Sequence, residues 1–278
     1  MASLFDQLLV KAKTKRRRIG ITITHYDEAM LATLKKGQEI ADVVIYGNKI
    51  PGFECVEMES GDAKGENIGR QIVRDYKDGK IDQFVRGQVD DLGTVDEFKV
   101  QFGLPKDERR IDFALMRDAH GREIFLTMGS NPDGQNLDDK IRIVGAVADW
   151  AKNTFGLAPK VAVMATCRPG SYGRDPVMSK TYDEAEALVK YLTKKGYEAK
   201  NVHIELENAI TWANILAPAN GTTGNQIFRA LVYLGGGAML TCPTLFSNGM
   251  MYEDDSRNEQ DWYPHIVAAS AWASMEGK

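Results

Sequence analysis

The sequence predicts an α/β protein of two lobes, each built on a mostly parallel sheet, with an interlobe cleft. Three observations predict it. Strand-like and amphipathic helix-like runs alternate almost throughout the 278 residues. The alternation breaks once, at "IDFALMRDAHGREIFLTMG", two apolar runs around a hairpin signal. Strand-like runs repeatedly end in polar, glycine-bearing turns that lead into helices. Alternation of this kind gives parallel sheets covered on both faces. In such sheets ligands sit at the carboxyl ends of the strands. With the boundary at the hairpin, residues 1–117 and 245–278 form the first lobe and 118–244 the second.

The elements follow in order. "SLFDQLLVKA" is a short amphipathic segment and "RIGITIT" a strand. "YDEAMLATLKKG" is a helix stopped by Gly37, and "ADVVIYG" and "FECVEM" are strands. "ENIGRQIVRDYKDG" is a helix closing at Gly79, and "IDQFVRG" is a strand. "TVDEFKVQFG" opens with Thr94 and Glu97 at capping-box spacing. After the hairpin, Asn136 caps a helix whose first turn carries Asp138 and Asp139. "KVAVMA" is a strand, and Thr181 and Glu184 make a second capping box. "VHIEL" and "ANILAPA" are strands, "NQIFRALVYLGG" a helix, "AMLTCP" a strand and "YPHIVAASAWASM" the last helix.

Composition narrows the functional class. The net charge is −4, so no global basic field argues for nucleic acid. The basic run "KAKTKRRR" reads as a solvated helix end or as a patch for anions. Cys55, Cys167 and Cys242 do not pair at metal spacing, which fits a reducing cytoplasm. No apolar run approaches membrane-helix length and no signal-peptide pattern opens the chain, so a cytoplasmic protein is expected. Walker, dinucleotide, hydrolase-elbow, zincin and C-x-x-C motifs are all missing. The four histidines, His25, His120, His203 and His265, are scattered and read as structural or surface groups. The loop "TCRPGSYGRDPVMSK" reads as a lid or as plain surface.

Four patches remain. "NGTTGN" lies between a strand and a helix, where Thr222, Thr223, Gly224 and Asn225 serve a tight turn or hold an anion on free helix amides. "DDSRN" places Ser256 and Arg257 before the last helix, as a cap beside a surface arginine or as a phosphate and oxyanion site at a helix start. "FVRGQVDDLGT" puts Arg86 and Gly87 at a strand end. "MGSNPDGQN", with Asn131, is a polar turn after the hairpin.

In this order the patches resemble the phosphate acetyl- and butyryltransferases. "ANILAPANGTTGNQIFRALVYLGGGAMLTC" followed by "DDSRN" resembles the C-terminal part of that family. "MGSNPDGQNLDDKIRIVGAVADWAKNTFGLAPKVAVMA" resembles its middle, and "IDQFVRGQ" its strand-plus-glycine segment. The likeness runs from about residue 80 onward and is diffuse before that. It implies the two-lobe fold of isocitrate and isopropylmalate dehydrogenases, a homodimer, and acyl transfer between phosphate and coenzyme A as substrate, with no other cofactor and no metal. By position it implies that Ser256 and Arg257 are catalytic, and that Arg86, Gly87, Asn131, Thr222, Thr223, Gly224 and Asn225 bind a small anionic substrate. Tyr263 stands where the family places an aspartate seven residues after the serine, and the nearest acid is Asp261. That departure resembles the MtxX-type methanogenesis marker proteins, a methyltransferase-related subfamily. It implies, as the second reading, a non-catalytic or methyltransferase-related accessory protein that keeps the anion-binding site.

Overall fold

The structure is a computed structural model that describes residues 3–59, 65–130, 132–256 and 258–277. The chain divides into two compact units, Met1–Arg110 with Leu240–Lys278, and Ile111–Met239. The expected division would have split the hairpin. The structure keeps it whole, because β5 (Ile111–Arg117) and β6 (Glu123–Thr127) pair antiparallel along their length.

In unit one, β1 (Arg18–Ile23), β2 (Asp42–Gly47), β3 (Glu54–Glu57) and β4 (Gln83–Val85) are parallel. The returning chain adds β11 (Pro243–Leu245) and β12 (Met251–Glu253), giving the order β3-β2-β1-β4-β12-β11. β12 runs parallel to β4, and β11 antiparallel to β12. Alternate residues face opposite sides. Ile19, Ile21, Ile23, Val43 and Ile45 meet Met30 and Leu34 of α2 (Glu28–Gly37) and Ile266 and Ala269 of α9 (Tyr263–Met275). Val44, Tyr46 and Phe84 meet Ile68, Ile72 and Tyr76 of α3 (Glu66–Lys77) and Phe98 of α4 (Asp91–Gln101). Burial on both faces is why these strands read as continuous apolar runs. α1 (Leu4–Ala12), closed by a Ser3–Asp6 capping box, packs on α9.

In unit two the order is β5-β6-β9-β7-β8, with β7 (Lys160–Met164), β8 (Glu198–His203) and β9 (Ile215–Ala217) parallel to β6. α5 (Leu137–Phe155) lays Trp150 and Phe155 against Phe113 and Phe125, with ring centroids 4.8–6.1 Å apart. α6 (Pro176–Lys194) covers β7 and β8. α7 (Leu206–Ala209) and α8 (Gly221–Arg229) complete the helices of this unit, and β10 (Ala238–Thr241) leads back toward unit one.

Four expectations are corrected. α4 begins at Asp91 with Asp90 as its cap, so Thr94 is buried inside the helix and Glu97 bonds Arg74 instead. α6 begins at Pro176 with Asp175 as its cap, and Thr181 bonds Thr166 from mid-helix. In both cases an aspartate upstream satisfies the amides first. α8 begins at Gly221, so "GTTG" is its first turn, and it widens into a π-turn over Ala230–Leu234. α9 begins at Tyr263, so Ser256 is not at a helix start.

Candidate functional site

At the carboxyl edge of unit one, β4 and β12 lie side by side and parallel, in register at Val85 and Glu253. The Arg86 amide donates to the Glu253 carbonyl at 2.9 Å. Arg86 is 4% exposed, and its guanidinium does not face solvent. Its Nε donates to Asp254, its second nitrogen to the Val89 carbonyl, and its third to the Asp255 carbonyl at 2.5 Å. Asp255 Oδ1 lies 2.8 Å from that third nitrogen but off the hydrogen-bonding direction, so neither Asp255 carboxyl oxygen has a hydrogen-bond partner. Burial opposes the charge of Arg86, but Asp254 and Asp255 outweigh it and raise its pKa further. Burial pushes the Asp255 carboxyl well above the usual carboxylate range against the pull of Arg86.

A second buried network lies one residue back along the chain. Glu253 accepts from Thr241 Oγ1 at 2.7 Å and from the Cys242 amide, His265 Nδ1 and Trp272 Nε1, each at 2.8 Å. His265 Nε2 is 3.8 Å from Glu259. Burial alone would lower the His265 pKa, but bonding to Glu253 and proximity to Glu259 raise it well above the ordinary value. The two carboxylates thus favour the protonated ring, although Nε2 makes no hydrogen bond among the described residues. The Glu259 amide bonds the Ser256 carbonyl at 2.7 Å, which ties the network to the serine loop. Ser256 itself is half-buried, and among the described residues its hydroxyl has one long contact, accepting from the Asn258 amide at 3.4 Å. Arg257 lies outside the described residues, as does Asn131.

Gly87 has φ +71°, and a Cβ there would lie 2.0 Å from the Thr22 carbonyl oxygen. Only glycine lets the chain turn so close to β1.

In unit two, the loops after β6 and β9 leave the carboxyl ends of adjacent parallel strands and pack backbone to backbone. A Cβ on Gly221 would lie 1.8 Å from the Ser130 carbonyl oxygen, and one on Gly224 2.1 Å from that of Met128. The Gly221 amide donates to the Asp133 carbonyl at 2.8 Å. Asn225 Nδ2 donates to the Gly129 carbonyl at 2.9 Å, while its Oδ1 accepts from Arg229. Met128, fully buried, is held at φ +53°, a conformation costing on the order of 1 kcal/mol or more for an ordinary side chain. Asn220 caps α8 by accepting from the Thr223 amide at 2.9 Å. Thr222 is exposed and Thr223 half-buried. The glycines of "NGTTGN" therefore have a reason that neither sequence reading supplied: they let two site loops touch.

The structure brings together Arg86, Gly87 and Ser256 in unit one, and Thr222, Thr223, Gly224 and Asn225 with the "MGSNPDG" loop in unit two. Arg86 is corrected from a substrate ligand to an anchor, because its guanidinium is buried and each of its nitrogens bonds to Asp254, Asp255 or Val89. Sequence reading missed that pairing and the Glu253–His265–Glu259 network; the adjacent acids of "YEDDSRNE" were the available signal.

This pair of α/β units, with a serine loop after one parallel strand and a glycine-stitched loop pair after two others, is the phosphotransacylase type of fold. A branched-chain phosphotransacylase from Enterococcus faecalis matches it with a TM-score of 0.65 and 14% identity over 92% of this chain and 99% of that one. A phosphotransacetylase from Streptococcus pyogenes matches at 0.65 and 16% identity, over 98% and 99%. At such identities the likeness is one of fold. In sequence, the chain is related over nearly its whole length to the "Putative methyltransferase mtx subunit X" of Methanosarcina mazei, 27% identical over 284 residues, covering 99% of this chain and 97% of the relative. That is the subfamily the altered site segments resembled. No protein-family model matches the sequence.

Proposed function

We propose that this chain is a phosphate acyltransferase-like protein that transfers an acyl group between phosphate and coenzyme A. The observation that carries the reading is the Ser256 loop. It leaves the carboxyl end of β12, is anchored from behind by the buried Arg86 and by the His265 network, and keeps a hydroxyl with no close partner among the described residues. An anchored loop with an uncommitted donor suits oxyanion stabilisation, where one donor contributes about 3 kcal/mol. Arg257 supplies the planar fork for the phosphate. Asn131, Thr222, Thr223 and the first turn of α8 bind a further anionic part of the substrate, and Gly224 and Asn225 hold that turn in place. The active species in this reading is a homodimer.

The test combines binding with turnover. Coenzyme A or acetyl phosphate at about one hundred times its Kd adds about 2.7 kcal/mol of stability, a Tm rise of several degrees. Ser256→Ala lowers acyl transfer about 100-fold or more while leaving Tm within a degree or two, since the hydroxyl makes no close bond among the described residues. A protein that shows neither a Tm shift with these ligands nor turnover is not an acyltransferase. The second reading, a methyltransferase-related accessory protein of methanogenesis, is favoured by the name of the full-length relatives and by Tyr263 at the family's aspartate position.

A further inference from the structure

The chain order of unit one reverses at β1. β2 and β3 follow on one side of it, and β4 lies on the other. Such a switch point is where open α/β sheets bind ligands. At the carboxyl ends of β1 and β4 stands a small polar ring made by Thr24, His25 and Gln88. Gln88 Oε1 accepts from the backbone amides of Thr24, at 2.8 Å, and His25, at 3.0 Å. That fixes which end of the amide is oxygen, since only oxygen accepts from two N–H groups. Gln88 Nε2 donates to Met30 Sδ at 3.8 Å and lies 3.5 Å from His25 Nε2, which its second hydrogen can reach. A donor there requires His25 Nε2 to be unprotonated. On the other side Thr24 Oγ1 donates to Gln88 Oε1 at 3.2 Å, which leaves it to accept from His25 Nδ1 at 3.3 Å.

These contacts are mutually consistent when the ring proton sits on Nδ1 and the Nε2 lone pair faces Gln88, a contact at the outer limit of a hydrogen bond. The imidazole is exposed, so that lone pair is open to a ligand. The ring is also held firmly from below. The Gln88 amide donates to the Thr22 carbonyl at 3.1 Å, Thr22 Oγ1 bonds the Arg86 carbonyl, and Asn48 bonds the Thr24 carbonyl. β1, β4 and β12 are successive parallel strands, so the ends that carry His25 and Ser256 are two strand spacings apart, about 10 Å. The ionisable groups around Ser256 are poorly placed to serve as a base. Burial raises the Tyr263 phenol above its ordinary value, Asp261 accepts from the Tyr263 amide, and Asp254 and Asp255 face Arg86.

We propose that His25 is the proton acceptor for a thiol ligand at this switch point, with Thr24 and Gln88 fixing its tautomer. The proposal rests on the acyl-transfer reading and adds its missing base. The thiol proton passes to His25 Nε2, and the sulfur lone pair forms a bond to the acyl carbon of an acyl phosphate. The carbon–oxygen bond to phosphate breaks, and phosphate leaves with that electron pair; His25 then returns its proton to solvent.

Two measurements on the full chain test this. Long-range nitrogen–proton NMR at pH 8, with His25 assigned by loss of its signals in His25→Gln, should show a protonated Nδ1 and a bare Nε2. The opposite tautomer overturns the proposal. In turnover of acetyl phosphate with coenzyme A, His25→Gln should lower kcat about 100-fold or more, with KM for coenzyme A within about twofold. His25→Ala should recover part of the rate on addition of imidazole. Unchanged kcat in His25→Gln beside an active wild type overturns the role of His25 and leaves acyl transfer standing. A wild type that neither binds coenzyme A nor turns over overturns acyl transfer, and this proposal with it.

Discussion

The carboxyl edges of the two units are built from opposite materials. In unit one the loop that carries Ser256 is fixed by charge: Arg86 with Asp254 and Asp255, and His265 with Glu253 and Glu259. In unit two the loops after β6 and β9 are fixed by the absence of side chains, with Gly221 and Gly224 set against the carbonyls of Ser130 and Met128. The first arrangement answers to protonation and to loss of a partner. The second answers to volume. A protein with both can vary its chemistry at one edge while the other stays geometrically fixed.

The sharpest way to break this contrast is to remove the arginine. Arg86→Met leaves two buried carboxyl groups without their cation and should cost about 4 kcal/mol in urea denaturation. Arg86→Lys should cost less, since it keeps the charge and loses the fork. A loss below about 1 kcal/mol for Arg86→Met would mean that the loop is not held by charge.

Next in size is Gly224→Ala, which drives a methyl group into the Met128 carbonyl and should cost about 2 kcal/mol. Gly129 sits in the facing loop, and a Cβ there meets nothing within 4 Å. Gly129→Ala should therefore change stability by no more than about 0.5 kcal/mol. Equal costs at the two glycines would remove the argument for backbone stitching.

The smallest effect is in pH dependence. The folded pKa of His265 is raised, so its contribution is complete below about pH 6.5 and is lost as pH climbs through the folded value. Asp255, also raised, acts in the same direction from about pH 4 upward. Stability of unit one, followed through the fluorescence of Trp262 and Trp272, should fall on the alkaline side. In His265→Gln that fall should be shallower by about 1 kcal/mol between pH 6.5 and 8. A slope identical to wild type would show that the imidazolium plays no part.

What the sequence disclosed follows from the range of the interactions. The β1–β2 and β4 strands, the hairpin and α5 were legible because periodicity and caps such as Asn136 act within one turn or one strand. The capping boxes at Thr94 and Thr181 were misread because Asp90 and Asp175, a few residues earlier, compete for the same amides. β11 and β12 were missed, being three residues each and showing no alternation. The role of Arg86 was invisible for a different reason: its partners Asp254 and Asp255 are 168 and 169 positions away, and only the fold makes them neighbours.

The route of the chain through unit one has a consequence for how the protein is made. Residues 240–277 are synthesised after all of unit two, yet they provide Trp262, Ile266 and Ala269 to the core beneath β1 and β2, and both acids that flank Arg86. Until they emerge, one face of the nascent sheet is covered by α2 but not by α9, and Arg86 has neither Asp254 nor Asp255 beside it. Unit two is continuous in sequence and has no such wait. Its chain is complete while the sheet upstream still lacks the serine loop and α9, which arrive together.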